Sequence, residues 1–341
     1  MTKGNSLRIQ TCAILVLLSA IARLVSADDP TRVVMKNLQE GDAARIPDYT
    51  LKVTIDEPVD PVSLSQGNSL MTCAITQGPL GLAASCKADE LPKPVYHPPG
   101  TFGTQGADYD ENGSLGVGMK ARWVSLRTPE TNETYEEHRA IYISPQGAVV
   151  DAGASRTLNR YPPDDQGMCS WSYNQLHRYW RALGHGFASH VFQVEGDVSE
   201  SAGLDRMRVR GGFRGTPTGI WRMAVEKSPT RLVREATFFR DVDGRPVEEI
   251  RTNGARQFDG VTLAEEGLLR LPINDEGAAI ETRVVLQDFK ARFDDELFKE
   301  VTKALEDLAG EEIQVVDYRS DPKNPTRRTV RLSSQREKDN K

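Results

Sequence analysis

Three histidines that lie close together in the sequence are the first candidates for metal chemistry. His177, His185 and His190 carry imidazoles, which are common zinc ligands, and they raise the hypothesis of a metal-assisted hydrolase. Two histidines on one helix face need a four-residue interval, which this group lacks, and Gly184 interrupts the helical pattern between the first two. No HExxH motif occurs. We therefore favour packing or surface histidines and rank the hydrolase third.

A polar loop resembles the first half of a calcium-binding loop. Asp108, Asp110 and Asn112 supply oxygen ligands at the first, third and fifth positions, and Gly113 occupies the sixth. The twelfth position, where such loops carry a bidentate glutamate, is Met119. The segment therefore predicts either a solvated turn or a weak extracellular calcium site.

Three arginines alternate with apolar residues along one predicted strand. Arg206, Arg208 and Arg210 fall on the same strand face because side chains alternate with a period of two. The stripe indicates either an ordinary wet sheet face or a surface that attracts an anionic headgroup or an acidic partner, in a salt-dependent manner.

Signatures of catalysis and of cofactor binding are missing from the sequence. There is no GxSxG elbow, and the glycine-rich stretch 113–118 neither follows a predicted strand nor opens a helix, so it does not fit a phosphate-binding loop. We expect no cofactor and no catalytic residue. Asn112 and Asn132 begin N-glycosylation sequons, which matter only in a eukaryotic source.

The first 27 residues resemble a cleavable secretory signal. A basic start is followed by an apolar run, 9–22, and small residues precede Asp28. Because Arg23 ends the run short of spanning length, cleavage is favoured over a retained anchor. The sequence predicts an exported chain, periplasmic or extracellular, with no transmembrane segment in its mature part.

The net charge limits the classes of binding partner, and the cysteine content bears on the cellular compartment of the protein. Without the signal the chain has 40 basic and 49 acidic residues, a net charge of −9, which disfavours nucleic acid as a partner. Three cysteines remain, and Cys73 with Cys86 could close a short disulfide loop, with Cys169 left over. Three buried thiols fit the spacing equally well.

The positions of these residues depend on a chain of short β segments. Alternating or turn-bounded segments at 49–56, 69–76, 80–87, 120–127, 138–144, 206–213, 221–225, 230–240, 246–251 and 280–286 predict strands, and Asp243-Gly244 predicts a tight hairpin. Strands that follow one another without an intervening helix favour an antiparallel meander with one buried face.

Two helices accompany the strands. The segment 171–183 gathers aromatic and apolar residues on one face and ends at Gly184; a second helix has Asp294 or Asp295 as its cap, an apolar stripe, and Gly310 at its end. The domain prediction is a signal, 1–27, then β segments with long loops, 28–166, that join the helix, meander and closing helix of 167–310. The polar segment 311–341 is expected to be a disordered tail.

The segment from about His190 to Leu308 resembles the periplasmic outer-membrane lipoprotein-carrier superfamily (LolA/LolB-like, lipoprotein-sorting). The likeness lies in the order of the meander, "GIWRMAVEKSPTRLVREATFF", "DVDGRPVEEI" and a "FKARFDDELF" helix, and covers about a third of the chain. It implies a mainly β (α+β) fold: a curved antiparallel sheet or half-barrel meander with two flanking or plugging helices. It also implies an apolar cavity that holds acyl chains, and no functional residue is carried over.

Together these observations rank three hypotheses. The first is an exported, non-catalytic binding or carrier module for a lipid, a hydrophobic ligand or a lipidated protein, with Phe213, Trp221, Met223 and Val225 lining the concave side. The same residues would also suit a filled core. The second is an envelope scaffold or protein-interaction module that uses the arginine stripe, and the third is the hydrolase.

Overall fold

The computed structural model describes most of the chain between residues 36 and 332. The described residues are 36, 38, 41–58, 65–66, 68–90, 93–94, 115–143, 146, 148–164, 171–187, 191–201, 203–211, 219–227, 231–240, 244–272 and 279–332. The predicted signal and calcium loop lie outside them, as do Cys169, His190 and Phe213.

The first half of the described chain is made of strands and one short 3-10 turn, Ala43–Arg45. The strands are β1 (Tyr49–Pro58), β2 (Ser65–Gln66), β3 (Asn68–Gly78), β4 (Gly81–Glu90), β5 (Lys93–Pro94), β6 (Leu115–Arg127), β7 (Asn132–Ile143) and β8 (Val149–Arg160).

The second half begins with helix α1 (Trp171–Ala182) and also contains helix α2 (Asp295–Glu306). Its strands are β9 (Val191–Ser201), β10 (Leu204–Gly211), β11 (Gly219–Glu226), β12 (Val233–Phe239), β13 (Pro246–Asn253), β14 (Arg256–Phe258), β15 (Val261–Leu263), β16 (Glu266–Pro272), β17 (Ala279–Lys290), β18 (Glu312–Asp317) and β19 (Thr326–Arg331).

Fifteen of these strands form one open, curved sheet. Their order is β19-β18-β8-β7-β6-β4-β3-β1-β17-β16-β13-β12-β11-β10-β9. Neighbours are antiparallel except for β18, which runs parallel to β8. The two halves of the sheet meet where β1 pairs with β17, from Thr50↔Lys290 to Asp56↔Arg283. The predicted mainly β fold with two helices is confirmed.

The sheet has an apolar core on each face. The larger core contains inward-facing residues of both halves of the sheet, among them Cys73, Cys86, Trp221 and Val284. The apolar face of α1 packs against them. The smaller core lies under α2, where Leu297, Val301 and Leu305 pack against alternate residues such as Ala83, Val124 and Leu126. Since successive strand residues point to opposite faces, α1 and α2 cover opposite sides of the sheet.

The cap of α2 and the end of α1 follow the predicted signals, whereas α2 ends at Glu306, four residues before the predicted Gly310. Asp294 caps α2, because its side chain accepts a hydrogen bond from the Leu297 N–H at 3.1 Å. Gly184 follows α1 with a φ of +85°, and an added Cβ would come within 3.1 Å of Leu232. Neither helix in the described ranges combines the length and the apolar character that a bilayer crossing demands.

Two expectations about local structure are corrected. The segment 311–341 was expected to be disordered, but 312–317 and 326–331 form β18 and β19, because Ile313 and Val315 bury their side chains under α2. Asn132, which lies between the predicted strands 120–127 and 138–144, is the first residue of β7 and is only 2% exposed. Its side-chain N–H donates to Pro162 O at 3.1 Å, so this sequon is not open to modification in the folded protein.

Candidate functional site

A cleft of about 450 Å³ opens between α1 and one end of the sheet. We call it the α1 cleft. The turns that follow β3 and β6 supply Pro79 and Pro129, and α1 supplies Leu176, His177 and Trp180; the other lining residues are Ala44, Tyr49, Gln77, Gly78, Gly81, Leu82, Arg127, Thr128 and Pro163. Apolar and polar groups therefore share its wall in nearly equal parts, and the polar side chains are Gln77, Arg127, Thr128 and His177.

A chain of hydrogen bonds holds the aromatic floor of the α1 cleft in position. The Trp180 indole N–H donates to the Tyr49 hydroxyl at 3.3 Å, and that hydroxyl donates to Gln77 Oε1 at 3.2 Å. The two rings meet edge to face with centroids 5.1 Å apart. Both residues are only 1% exposed, so the floor is almost entirely shielded from water.

The polar groups of the α1 cleft differ in charge. Burial, and secondarily the charge of Arg181, lowers the pKa of His177 to about 4, so its imidazole is neutral at neutral pH. Arg127 contributes a cation to the wall. The arrangement can accept an apolar chain on the aromatic side and a negatively charged or polar group near Arg127.

The turn between β3 and β4 carries an exposed leucine at the edge of this cleft. Leu80 is 51% exposed and is the one large hydrophobic side chain so exposed among the described residues. Its neighbours Pro79 and Gly81 line the cleft itself. Leu80 itself is not a lining residue, but it stands on the turn that supplies part of the wall.

The predicted ligand-lining residues occupy a different position. Trp221, Met223 and Val225 are at most 4% exposed and belong to the larger core, which also includes Tyr49 and Trp180. The Trp221 ring lies between Phe187 and Phe238, at centroid distances of 5.6 and 4.9 Å. None of the three lines the α1 cleft.

The two members of the predicted histidine group that the structure describes, His177 and His185, have separate roles. His185 is 4% exposed, and its Nδ1 accepts from the Ala43 N–H at 3.1 Å while Nε2 donates to Thr262 O at 2.8 Å. Burial lowers the pKa of His185, so it is a neutral core residue, whereas His177 faces the cleft. Within the described part of the chain, no three His, Cys, Asp or Glu side chains form a metal-ligand group.

A buried ion pair connects α1 to the sheet, and sequence reasoning missed it. The Arg181 guanidinium donates from Nη2 to the Glu248 carboxylate on β13, at 3.0 and 3.3 Å, and the side chains are 3% and 7% exposed. The adjacent acids Glu248 and Glu249 look like a solvated edge in the sequence. The signal that identifies Glu248 is its strand phase, which it shares with Ile250 of the core.

A second cleft, of about 390 Å³, lies between the end of α2 and β6, β7 and β8. Its walls are charged: Arg122, Glu137 and Arg156 form a cross-strand row, and Tyr135 donates a hydrogen bond to Glu137 at 3.1 Å. Burial and the Glu137 charge raise the pKa of Tyr135 to about 12. Sequence reasoning gave no sign of this cleft.

The cysteines and the arginine stripe are both ordered by strand pairing. Cys73 and Cys86 face each other across β3 and β4 and are joined in a disulfide, with both side chains fully buried. Arg206, Arg208 and Arg210 point away from the larger core, with exposures of 45%, 38% and 50%.

Comparisons with known proteins were made at three levels. No protein-family model matches the chain, and no curated protein sequence matches significantly. Among solved structures, the chain is similar to a putative outer membrane lipoprotein-sorting protein domain from Vibrio parahaemolyticus, at 10% identity and a TM-score of 0.41, over 80% of this chain and 98% of that one.

Two further solved structures resemble the chain to a similar degree. A LolA superfamily protein from Nitrosomonas europaea matches at 10% identity and a TM-score of 0.41, over 79% of this chain and 96% of that one. A DUF1329 family protein from Desulfovibrio piger matches at 13% identity and a TM-score of 0.39, over 79% and 97%. The superfamily that the sequence pattern resembles is thus represented among the similar structures.

Proposed function

We propose that this protein is an exported, non-catalytic binding or carrier module that holds the acyl part of a lipid or of a lipidated protein in the α1 cleft. Export rests on the signal-like segment 1–27, and the Cys73–Cys86 disulfide fits an oxidising compartment outside the cytoplasm.

One observation carries the proposal: the α1 cleft places apolar side chains of α1, β4 and the adjoining turns beside a cationic side chain, Arg127. Its volume of about 450 Å³ falls within the range of roughly 300–1,000 Å³ that is usual for small-molecule sites. An acyl chain would lie against the edges of Leu82 and Leu176, above the Trp180 ring, which is itself 1% exposed, and its polar end would face Arg127. Leu80 at the edge would make the first apolar contact.

The residues expected from the sequence to line the ligand remain a second candidate position. Trp221, Met223 and Val225 are buried, and the Trp221 ring packs against Phe187, so a guest would reach this ring only if Phe187 moved. Phe213 belongs to the same proposal. The two positions predict different tryptophans beside the ligand.

Quenching by a brominated fatty acid distinguishes the two positions. Bromine on an acyl chain quenches tryptophan fluorescence only at close range, so we expect quenching in the parent protein and its loss in Trp180→Phe. The matched variant Trp221→Phe should keep the quenching. The reverse result would place the binding site beside Trp221 in the larger core. An absence of quenching in the parent protein would contradict an acyl-binding function.

The edge of the cleft provides an independent variant. Leu80→Asp changes an exposed side chain, so it should leave the unfolding temperature unchanged while weakening fatty-acid binding. Gln314→Asp, at an exposed position of β18, is the charge-matched control and should bind like the parent. Equal affinity in all three proteins would exclude Leu80 from the binding site.

A further inference from the structure

The outer face of β10 and β11 carries a cluster of four arginines, Arg206, Arg208, Arg210 and Arg222, which we call the arginine patch. Strand pairing sets Arg208 directly opposite Arg222, and Met207 with Met223 on the other face belongs to the larger core. The four guanidinium groups therefore share one surface, on the side of the sheet away from α1.

The charges of the arginine patch are only partly balanced. Glu195 lies within 3.5 Å of Arg208 and 2.5 Å of Arg210, and Glu235 lies 3.1 Å from Arg206. Arg222 has no acidic partner at ion-pair distance among the described residues; it lies over the Phe239 ring, 4.6 Å from its centroid. Four positive charges thus face two negative ones.

The direct Arg208–Arg222 pair is unfavourable for the fold itself. Like charges directly opposite each other destabilise an antiparallel strand pair, whereas a glutamate at either position would stabilise it. The sheet uses that better solution nearby, where Arg270 pairs with Glu249 and Glu281. An anion bound from outside would offset this repulsion.

From this surface we infer that the arginine patch binds an extended acidic segment of another protein. Alternate residues of an extended segment lie roughly 7 Å apart, the same interval as Arg206, Arg208 and Arg210 along β10. Carboxylates at alternate positions can therefore pair with the patch residue by residue, in the geometry that arginine favours.

An anionic membrane fits the patch less well. Leu80, the one strongly exposed large hydrophobic side chain of the described residues, lies on the β3–β4 turn and so gives the patch no apolar anchor.

The test is binding of a fluorescein-labelled peptide with glutamate at every second position, separated by serines. We expect an affinity that falls as salt rises, and that falls about tenfold in Arg208→Glu/Arg222→Glu, since each exposed ion contributes modestly. The control Arg327→Glu/Arg328→Glu makes the same charge change on β19 and should bind within about twofold of the parent.

Several outcomes would overturn the inference: no peptide binding, equal loss in both double variants, or patch-dependent binding to phosphatidylglycerol vesicles without peptide binding. If the double variant does not fold, Arg222→Gln replaces it, because this exposed change leaves the pairs of Glu195 intact. Arg222→Gln should weaken the peptide about threefold without lowering the unfolding temperature. A lower unfolding temperature with unchanged peptide affinity would make Arg222 a structural residue.

Discussion

At the scale of single residues, the lowered pKa of His177 in the wall of the α1 cleft makes the stability of the protein depend on pH. Its pKa is lowered to about 4 from the ordinary value of 6.5. Between these two values the unfolded chain carries a proton on His177 that the folded protein does not, and protons therefore favour unfolding. A ligand carboxylate in the cleft would oppose this effect, because a nearby negative charge raises the pKa of histidine.

We expect His177→Asn to flatten the dependence of stability on acidity. The free energy of unfolding of the parent should fall as pH falls from 6.5 toward 4, by up to about 3 kcal/mol from this group. Urea unfolding at pH 7 and pH 4.5 measures the difference. His185, which has the same sign of pKa change, is present in both proteins and cancels. Equal losses in parent and variant would contradict the neutral state of His177.

At the scale of elements, the ion pair Arg181–Glu248 fixes α1 on β13. Burial lowers the pKa of Arg181, while the Glu248 charge opposes that change. Charges taken out of water are costly, and the pair is tolerable in an apolar core only because each partner compensates the other.

Removing one partner should therefore be worse than removing both. We expect Arg181→Met to lower the free energy of unfolding by about 3–5 kcal/mol, because it leaves the Glu248 carboxylate buried without its guanidinium. Arg181→Met/Glu248→Leu should recover most of that loss. Urea unfolding of both single variants and the double variant completes the cycle, and additive losses would show that the pair is not coupled.

The elements themselves were largely predictable from the sequence. Met207, Val209, Trp221 and Met223 alternate with arginines, and this pattern predicted β10 and β11. A strand with one exposed and one buried face has alternating polar and apolar residues. The Ile313–Val315 alternation was missed because it is short and surrounded by polar residues, and its burial depends on α2, which the sequence does not position. Glu248 was missed for the same reason: its partner lies on another element.

At the scale of the whole molecule, the C-terminal segment closes the second core. From β17 the chain crosses the back of the sheet as α2 and returns as β18 beside β8. Ile313 and Val315 are 2% and 0% exposed there. The segment that was expected to be a disordered tail is therefore part of the fold. It covers one face of the sheet, and the α1 cleft lies on the opposite face.

Truncation after Gly310 should destabilise the protein strongly. Loss of a single buried Ile or Leu side chain costs about 2–5 kcal/mol, and this change removes Ile313 and Val315 while it exposes their neighbours in the smaller core. Thermal unfolding and size-exclusion chromatography should show a lower unfolding temperature and association. Truncation after Leu332, which leaves β18 and β19 complete, is the control. Identical behaviour of both truncated chains would contradict the role of these strands.

The junction of β1 with β17 has a consequence for how the chain reaches this state. Thr50 and Lys290 lie near opposite ends of the sequence, so their pairing requires closure of a very long loop, and such contacts form slowly. Each half-sheet can assemble first and would then present β1 or β17 as an open edge, ready to join the wrong chain. Refolding yield should therefore fall steeply with protein concentration, and a yield independent of concentration would show that the junction forms early.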